Sequence, residues 1–189
     1  MQNLARIWSL IGFFLPISLA TEMNLDAMLG AKFLEHDDWE PVDAQGMLAV
    51  QFDVCPEEWP VAIAVNVLGS NDYDRRTVRN VGTVDTYGGV TEFQVGLAGL
   101  FALPGHTTLY AGGGATFASA LRQTWTASSE RSDWGYGVGT WAHAGAFWTI
   151  GSFNIGLGGG WSWVPMELDD RDIDAGGWRF GLPLGGYLR

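Results

Sequence analysis

Four long polar segments alternate with three short turns along this 189-residue chain, and every stretch between them reads as a glycine- and aromatic-rich strand. The long segments are residues 35–43, 71–87, 120–134 and 165–177; the short ones are residues 56–60, 102–105 and 151–152. Seven connections imply eight strands. Long connections at one end and tight ones at the other are what a sheet needs when it closes across a membrane and meets two different sides.

The first twenty residues are set apart. Arg6 is a short positive start, residues 7–19 (IWSLIGFFLPISL) are apolar, and Ser18-Leu19-Ala20 is a small-x-small cleavage signal before Thr21. This is the pattern of a secretory signal peptide, and the apolar run is shorter than the ~20 residues a spanning helix requires. The expected division is a signal peptide at residues 1–20 and one β domain at residues 21–189. Cleavage removes one cation, leaving 9 basic against 21 acidic residues, or 9 − 21 = −12. So acidic a chain is a poor partner for nucleic acid. Cys55 is the lone cysteine, so the fold stands without an internal disulfide, and it reads as a small residue at a strand end.

The strands expected are residues 25–34, 44–55, 61–70, 90–101, 106–118, 136–149, 153–163 and 178–188. Side chains alternate across a strand. Leu25, Ala27, Leu29, Ala31 and Phe33 fall on one face of the first; Leu48, Val50, Phe52 and Val54 on one face of the second; Phe93, Val95, Leu97 and Phe101 on one face of the fourth. The opposite faces are Gly, Ala, Ser, Asn and Gln with isolated charges, the composition of a narrow barrel lumen. Trp134, Trp161, Trp163 and Trp178 sit beside the long segments, and Phe52, Trp59, Phe101, Trp148 and Phe153 beside the short turns. Two such girdles suit two membrane interfaces. The fold class expected is therefore all-β, an eight-stranded antiparallel up-and-down transmembrane β-barrel. A soluble secreted β-sandwich binding module also alternates, and is the competing architecture.

The signal peptide, the long/short rhythm, and segments such as Leu109-Tyr110-Ala111-Gly112-Gly113-Gly114-Ala115 and Ile155-Gly156-Leu157-Gly158-Gly159-Gly160 resemble the small eight-stranded outer-membrane barrels of the opacity and OmpA-like type. That resemblance implies a monomer in a bacterial outer membrane, in contact with lipid and lipopolysaccharide, with extracellular ligands reached through the long loops. Two departures stand out. The last aromatic is Tyr187, followed by Leu188 and Arg189, and Pro183 falls inside the last strand, where it removes a ladder donor; a bulge or a shorter strand is expected there.

The inward positions include Asp26, Lys32, Asp53, Glu92 and Arg179. Two cations and three carboxylates in a narrow lumen are expected to form ion pairs that plug it, with Glu92 pairing Lys32 or Arg179; a narrow gated ion path is the functional alternative. Lys32, Glu92 and Arg179 are placed toward the loop end, Asp26 and Asp53 toward the turn end. The outer-membrane lipid A deacylases resemble this architecture in size and carry a His-x-Ser pair. Here His143 precedes Ala144-Gly145 and His106 precedes Thr107-Thr108, so that motif is missing. Ser162 beside His143, with Glu92 as a third member, is the constellation that a lipid-modifying enzyme would have to use. No catalysis, no cofactor and no metal are expected. Asp170, Asp172 and Asp174 imitate the start of a calcium loop, but its sixth position is Ala175 and its twelfth Gly181, so the acidic loops read as solvated. Arg75, Arg76 and Arg79 form a cationic cluster suited to lipid phosphates or to solvent. The function expected is a structural or surface-interaction, adhesin-like role at the cell surface.

Overall fold

A computed structural model describes residues 21–56, 59–79 and 82–188. The signal-peptide reading of residues 1–20 lies outside them. Eight strands close a barrel: β1 (Thr21–Phe33), β2 (Ala44–Pro56), β3 (Ala62–Val78), β4 (Gly82–Leu103), β5 (Thr107–Trp125), β6 (Glu130–Ile150), β7 (Phe153–Trp163) and β10 (Gly177–Leu188). Each pairs antiparallel with its neighbour in sequence, and β10 closes on β1 from Met23↔Leu188 to Phe33↔Trp178. The connection between β1 and β2 holds a four-residue helix, α1 (His36–Trp39). The one between β7 and β10 holds a hairpin, β8 (Pro165–Leu168) and β9 (Arg171–Asp174).

Closure follows from the alternation. Leu25, Leu29, Leu48, Val67, Phe93, Leu97, Phe117, Val138, Leu157 and Leu182 all point outward and are exposed. Among the described residues of the spanning ladders, the outward positions carry no Asp, Glu, Lys, Arg or His. A soluble sandwich would bury this face; a spanning barrel turns it to lipid and leaves no open edge for lipid to contact. The expected girdle residues Trp134, Trp161, Trp163, Trp178, Trp59, Phe101, Trp148 and Phe153 are exposed as well. Val54, expected outward, is covered at the turn end of β2, where Trp59 N–H donates back to Pro56 O at 3.1 Å.

Two features differ from the sequence reading. Residues 71–87 and 120–134 are mostly strand. The β3–β4 ladder continues to Val78↔Gly82, and β5–β6 to Trp125↔Glu130, whereas β2–β3 stops at Gly46↔Asn71 and β6–β7 at Thr140↔Trp163. Roughly 9–11 residues cross the hydrocarbon; β4 has 22 and β6 has 21. The excess stands above the membrane as a wall of four strands, wet on its outer face, so the apolar half of the alternation disappears and the sequence looks like loop.

Pro183 is the second difference. Its strand is neither bulged nor cut short. The β10–β7 register runs Gly181↔Gly158 and resumes at Leu184↔Ile155 without a shift, while Pro183↔Met28 holds on the β1 side. The ladder to β7 skips Leu182 and Pro183, which is how a missing N–H is accommodated when register is retained.

Candidate functional site

The candidate site is the lumen and the cap over its loop end, because among the described residues the charged side chains of the spanning ladders point there. Its upper layer is built around Glu92 on β4. Lys32 on β1 reaches across the barrel, and its Nζ lies 2.5 Å from Glu92 Oε1, both side chains fully buried. Lys32 also donates to the Ala175 carbonyl at 2.7 Å. Glu92 further accepts from Ser162 Oγ (3.1 Å), Gln94 Nε2 (2.6 Å) and Thr116 Oγ1 (3.4 Å). Four donors from four strands therefore converge on one carboxylate, the arrangement that lets a buried ion pair repay its desolvation.

Arg179 on β10 does not join that pair directly. Its Nη2 donates to Gln94 Oε1 at 2.9 Å, which also receives Asn66 Nδ2 at 3.1 Å. Of the two expected partners, Glu92 takes Lys32. Toward the turn end, Asp26 and Asp53 have amide partners in place of cations. Asn24 Nδ2 donates to Asp26, and Gln51 Nε2 donates to both Asp53 oxygens, at 3.0 and 2.8 Å. Asn154 Nδ2 donates to Asn24 Oδ1 at 2.9 Å, and Thr149 Oγ1 to Asn154 Oδ1 at 3.0 Å. All five expected residues face the lumen, with Lys32, Glu92 and Arg179 above Asp26 and Asp53; one direct ion pair forms among them. Gln94, Asn24 and Gln51 carry the rest of the network. Their signal was their inward parity on strands whose neighbouring inward positions hold the charges.

The catalytic constellation is not assembled. Ser162 Oγ donates its hydrogen bond to Glu92 Oε1, the same oxygen that Lys32 holds. His143 lies edge-on between Trp141 (4.8 Å between centroids) and Tyr110 (5.2 Å), and its Nε2 makes no hydrogen bond to another protein group among the described residues. A base that neither contacts the hydroxyl nor is oriented by the acid does not form a triad.

The cap was not foreseen. Leu34, Trp39 and Val42 from the first connection and Val164, Met166, Leu168, Ile173 and Ala175 from the last are buried against Val90, Ala118 and Ala120 of the inner wall. Inside an otherwise acidic segment, Met166 and Leu168 alternate, as do Ile173 and Ala175: a short hairpin with one dry face. Its turn is Asp169-Asp170, both with positive φ (56° and 57°), the two-residue geometry whose twist matches paired strands. Asp174, read from the sequence as the tail of a calcium-like run, accepts from Val164 N (2.7 Å) and Gly176 N (2.8 Å) and so fastens the hairpin to β7 and β10. Trp39 Nε1 donates to the Asp174 carbonyl at 2.8 Å, and the Arg122 guanidinium stands 5.1 Å from the Trp39 ring centroid while donating to the Asp38 carbonyl. The hairpin lies close because β6 has no side chain beneath it: a Cβ on Gly137 would sit 2.5 Å from Pro165 O.

The cationic cluster of the second connection is partly neutralised. Arg75 pairs with Asp85 at 2.5 Å across the β3–β4 ladder, and Arg76 lies 3.6 Å from Glu40.

No protein-family model matches the chain, and no curated protein matches it. Solved structures do. The outer membrane protein OprG from Pseudomonas aeruginosa superposes with a TM-score of 0.57 at 11% identity, over 89% of this chain and 95% of that one. Ail, the attachment invasion locus protein of Yersinia pestis, in complex with the heparin analogue sucrose octasulfate, gives 0.54 at 14%, over 88% and 99%. A major outer membrane protein from Thermus thermophilus gives 0.54 at 12%, over 90% and 100%. The chain is a closed eight-stranded β-barrel with the fold of small outer-membrane barrels.

Proposed function

We propose that this protein is exported to a bacterial outer membrane and acts there as a monomeric barrel with a structural or surface-interaction role, presenting its loop side to extracellular ligands while lipid and lipopolysaccharide surround the belt. The observation that carries this reading is the doubly closed lumen. The Glu92 layer fills the cross-section, and the apolar cap of Trp39, Val164 and Ile173 seals the mouth above it. A barrel plugged in this way leaves its outer surface as the place where it can act, which favours that role over a narrow ion channel. The unassembled Ser162–His143 geometry favours it over lipid deacylation.

The character of the surface narrows the partner. The four loop-side segments hold fifteen carboxylates against six arginines. Ail is in complex with a polysulfated sugar analogue in its structure; the acidic surface here suits a cationic partner instead, since like charge opposes encounter. In planar bilayers the protein should show no steady conductance of porin size. Displayed on neutral liposomes, it should retain polylysine and release it as salt is raised. Large stable single-channel steps, or preferential retention of a sulfated polysaccharide, would overturn the reading.

A further inference from the structure

Below the Glu92 layer lies a small chamber of about 30 Å³, bordered by Asp26, Asp53, Asn66, Tyr110, His143 and Arg179. Four of these side chains keep buried polar atoms with no hydrogen bond to another protein group: Asp26 Oδ1, Asn66 Oδ1, His143 Nε2, and Arg179 Nε and Nη1. Their side chains are at least nine-tenths buried; Arg179 is 1% exposed and Asp26 8%.

The polarity of these atoms is dictated from above. Glu92 accepts from Lys32, so it can only accept from Gln94. Gln94 must therefore turn its NH₂ to Glu92 and its carbonyl to Arg179, which can only donate. Asn66 then has to donate to that same carbonyl, and its own Oδ1 is left as a buried acceptor without a protein partner. From the other end, Asp26 fixes Asn24 as donor and keeps Oδ1 free. The residues that line the chamber thus carry two committed acceptors, Asp26 Oδ1 and Asn66 Oδ1, and three committed N–H donors on Arg179, together with His143 Nε2. A bare cation would face the guanidinium. An anion would face two carboxylates. The occupant has to accept and donate at once and be very small. A water molecule needs about 10–15 Å³ and two to four polar partners.

We infer that this chamber is a binding site for two water molecules, which accept from Arg179 Nε and Nη1 and donate to Asp26 Oδ1, Asn66 Oδ1 and His143 Nε2, so that Asp26 is the water-mediated counter-ion of Arg179. The lumen then holds two ion pairs of different kinds: a direct one, Lys32–Glu92, and a hydrated one, Arg179–Asp26. Asp53 is held separately by Gln51.

The test is water–protein NMR on the folded barrel in micelles, with closure checked by heat-modifiable gel mobility. Cross-peaks of the sign given by long-lived bound water are expected at Arg179 Hε and the His143 ring, unchanged when the buffer cation is sodium, potassium or lithium. Ala49→Met, which fills the chamber, should remove them, and Asp26→Leu should shift the Arg179 Hε resonance. Absence of the cross-peaks in the unmodified protein would overturn the inference, and that protein alone suffices if a variant fails to fold. Resonances that follow the buffer cation would show an ion site instead. An Arg179 Hε resonance untouched by Asp26→Leu would remove Asp26 as the counter-ion.

Discussion

Tyr110 lies across the inner face of two neighbouring strands, and the residues it covers, Gly145 and Gly158, have no side chains. The registers Tyr110↔Gly145 and Gly145↔Gly158 place all three in one row. A Cβ on Gly158 would overlap the Tyr110 hydroxyl oxygen but stand 3.3 Å from Cζ. The clash therefore belongs to one atom. Gly158→Ala should destabilise the barrel by about 1–3 kcal/mol, the range for overpacking a filled interior. Tyr110→Phe in the same chain should restore much of that loss, measured as urea midpoints in detergent across the double-mutant cycle. Additive losses would show that the ring does not rest there. Glu92 answers a different question at the same scale. Glu92→Ala strands the fully buried Lys32 and removes the acceptor for Ser162, Gln94 and Thr116. Breaking a buried pair from one side costs about 3–5 kcal/mol, read as a lower unfolding midpoint. Lys32→Met with Glu92→Leu should recover most of it, because no uncompensated charge remains. A double variant as unstable as Glu92→Ala would mean that the pair supplies more than mutual neutralisation.

Elements above the membrane behave differently from those inside it. The β3–β4 ribbon rises past the ladder of β2, and Asp85 accepts from Arg75 Nε (2.5 Å) and Tyr73 Oη (2.6 Å) there. The hydrogen bond from Arg75, then that from Tyr73, holds the Asp85 carboxyl below its ordinary value. A depressed carboxyl contributes order that is present above its unfolded pKa of about 3.9 and is lost as pH falls through the lower folded value. Amide exchange at Arg76 and Thr77 should therefore be protected at pH 5 and above, and rise as the medium becomes more acidic than about pH 4, with the barrel still closed. Asp85→Asn should abolish the pH dependence of the opening; an unchanged profile would show that the ribbon is held by its backbone ladder alone. This ribbon is also where sequence reading went short. Within the membrane one face of each strand must be apolar, so parity located Leu97 outward and Glu92 inward without error. Above it Thr77, Arg75 and Tyr73 have solvent beside them, and only their strand propensity could have marked them. The cap was legible in principle, since Met166, Leu168 and Ile173 are apolar residues at strand spacing in an acidic stretch. What they cover was not, because it depends on how the last connection folds back over Val90 and Ala118. Pairing of Glu92 across the lumen was legible from inward parity, but which of Lys32 and Arg179 would take it was hidden for the same reason. Lys32 and Glu92 are on strands that do not touch, and their heights match only once the stagger of the closed barrel is set.

For the whole molecule, the decisive asymmetry lies between its two faces and along its axis. Outward positions within the belt have to be apolar; outward positions on the rising wall do not. Val65 lies in the part of β3 that is laddered to both β2 and β4, paired with Phe52 and Val95, with apolar side chains outward on either side. Thr77 belongs to the same strand but pairs with Thr83 near the tip of the ribbon and is exposed. Val65→Arg should destabilise the inserted barrel by about 2–4 kcal/mol, the cost of a cation near the bilayer midplane, while Thr77→Arg should cost roughly 0–1 kcal/mol, as at the interface. Both are measured as reversible unfolding from phospholipid bilayers, where depth has meaning, and not from micelles, which deform around a charge. The contrast tests placement and fold together. A soluble protein that buried the Val65 face in a sandwich core would also suffer at Val65, but it would unfold identically with and without lipid. A barrel that spans will show the Val65 penalty shrink when the bilayer is thinned, since a thinner bilayer brings the guanidinium closer to water, whereas Thr77→Arg will not respond. Equal penalties at the two positions, or a Val65 penalty indifferent to bilayer thickness, would mean that β3 does not cross the hydrocarbon at the height assigned to it.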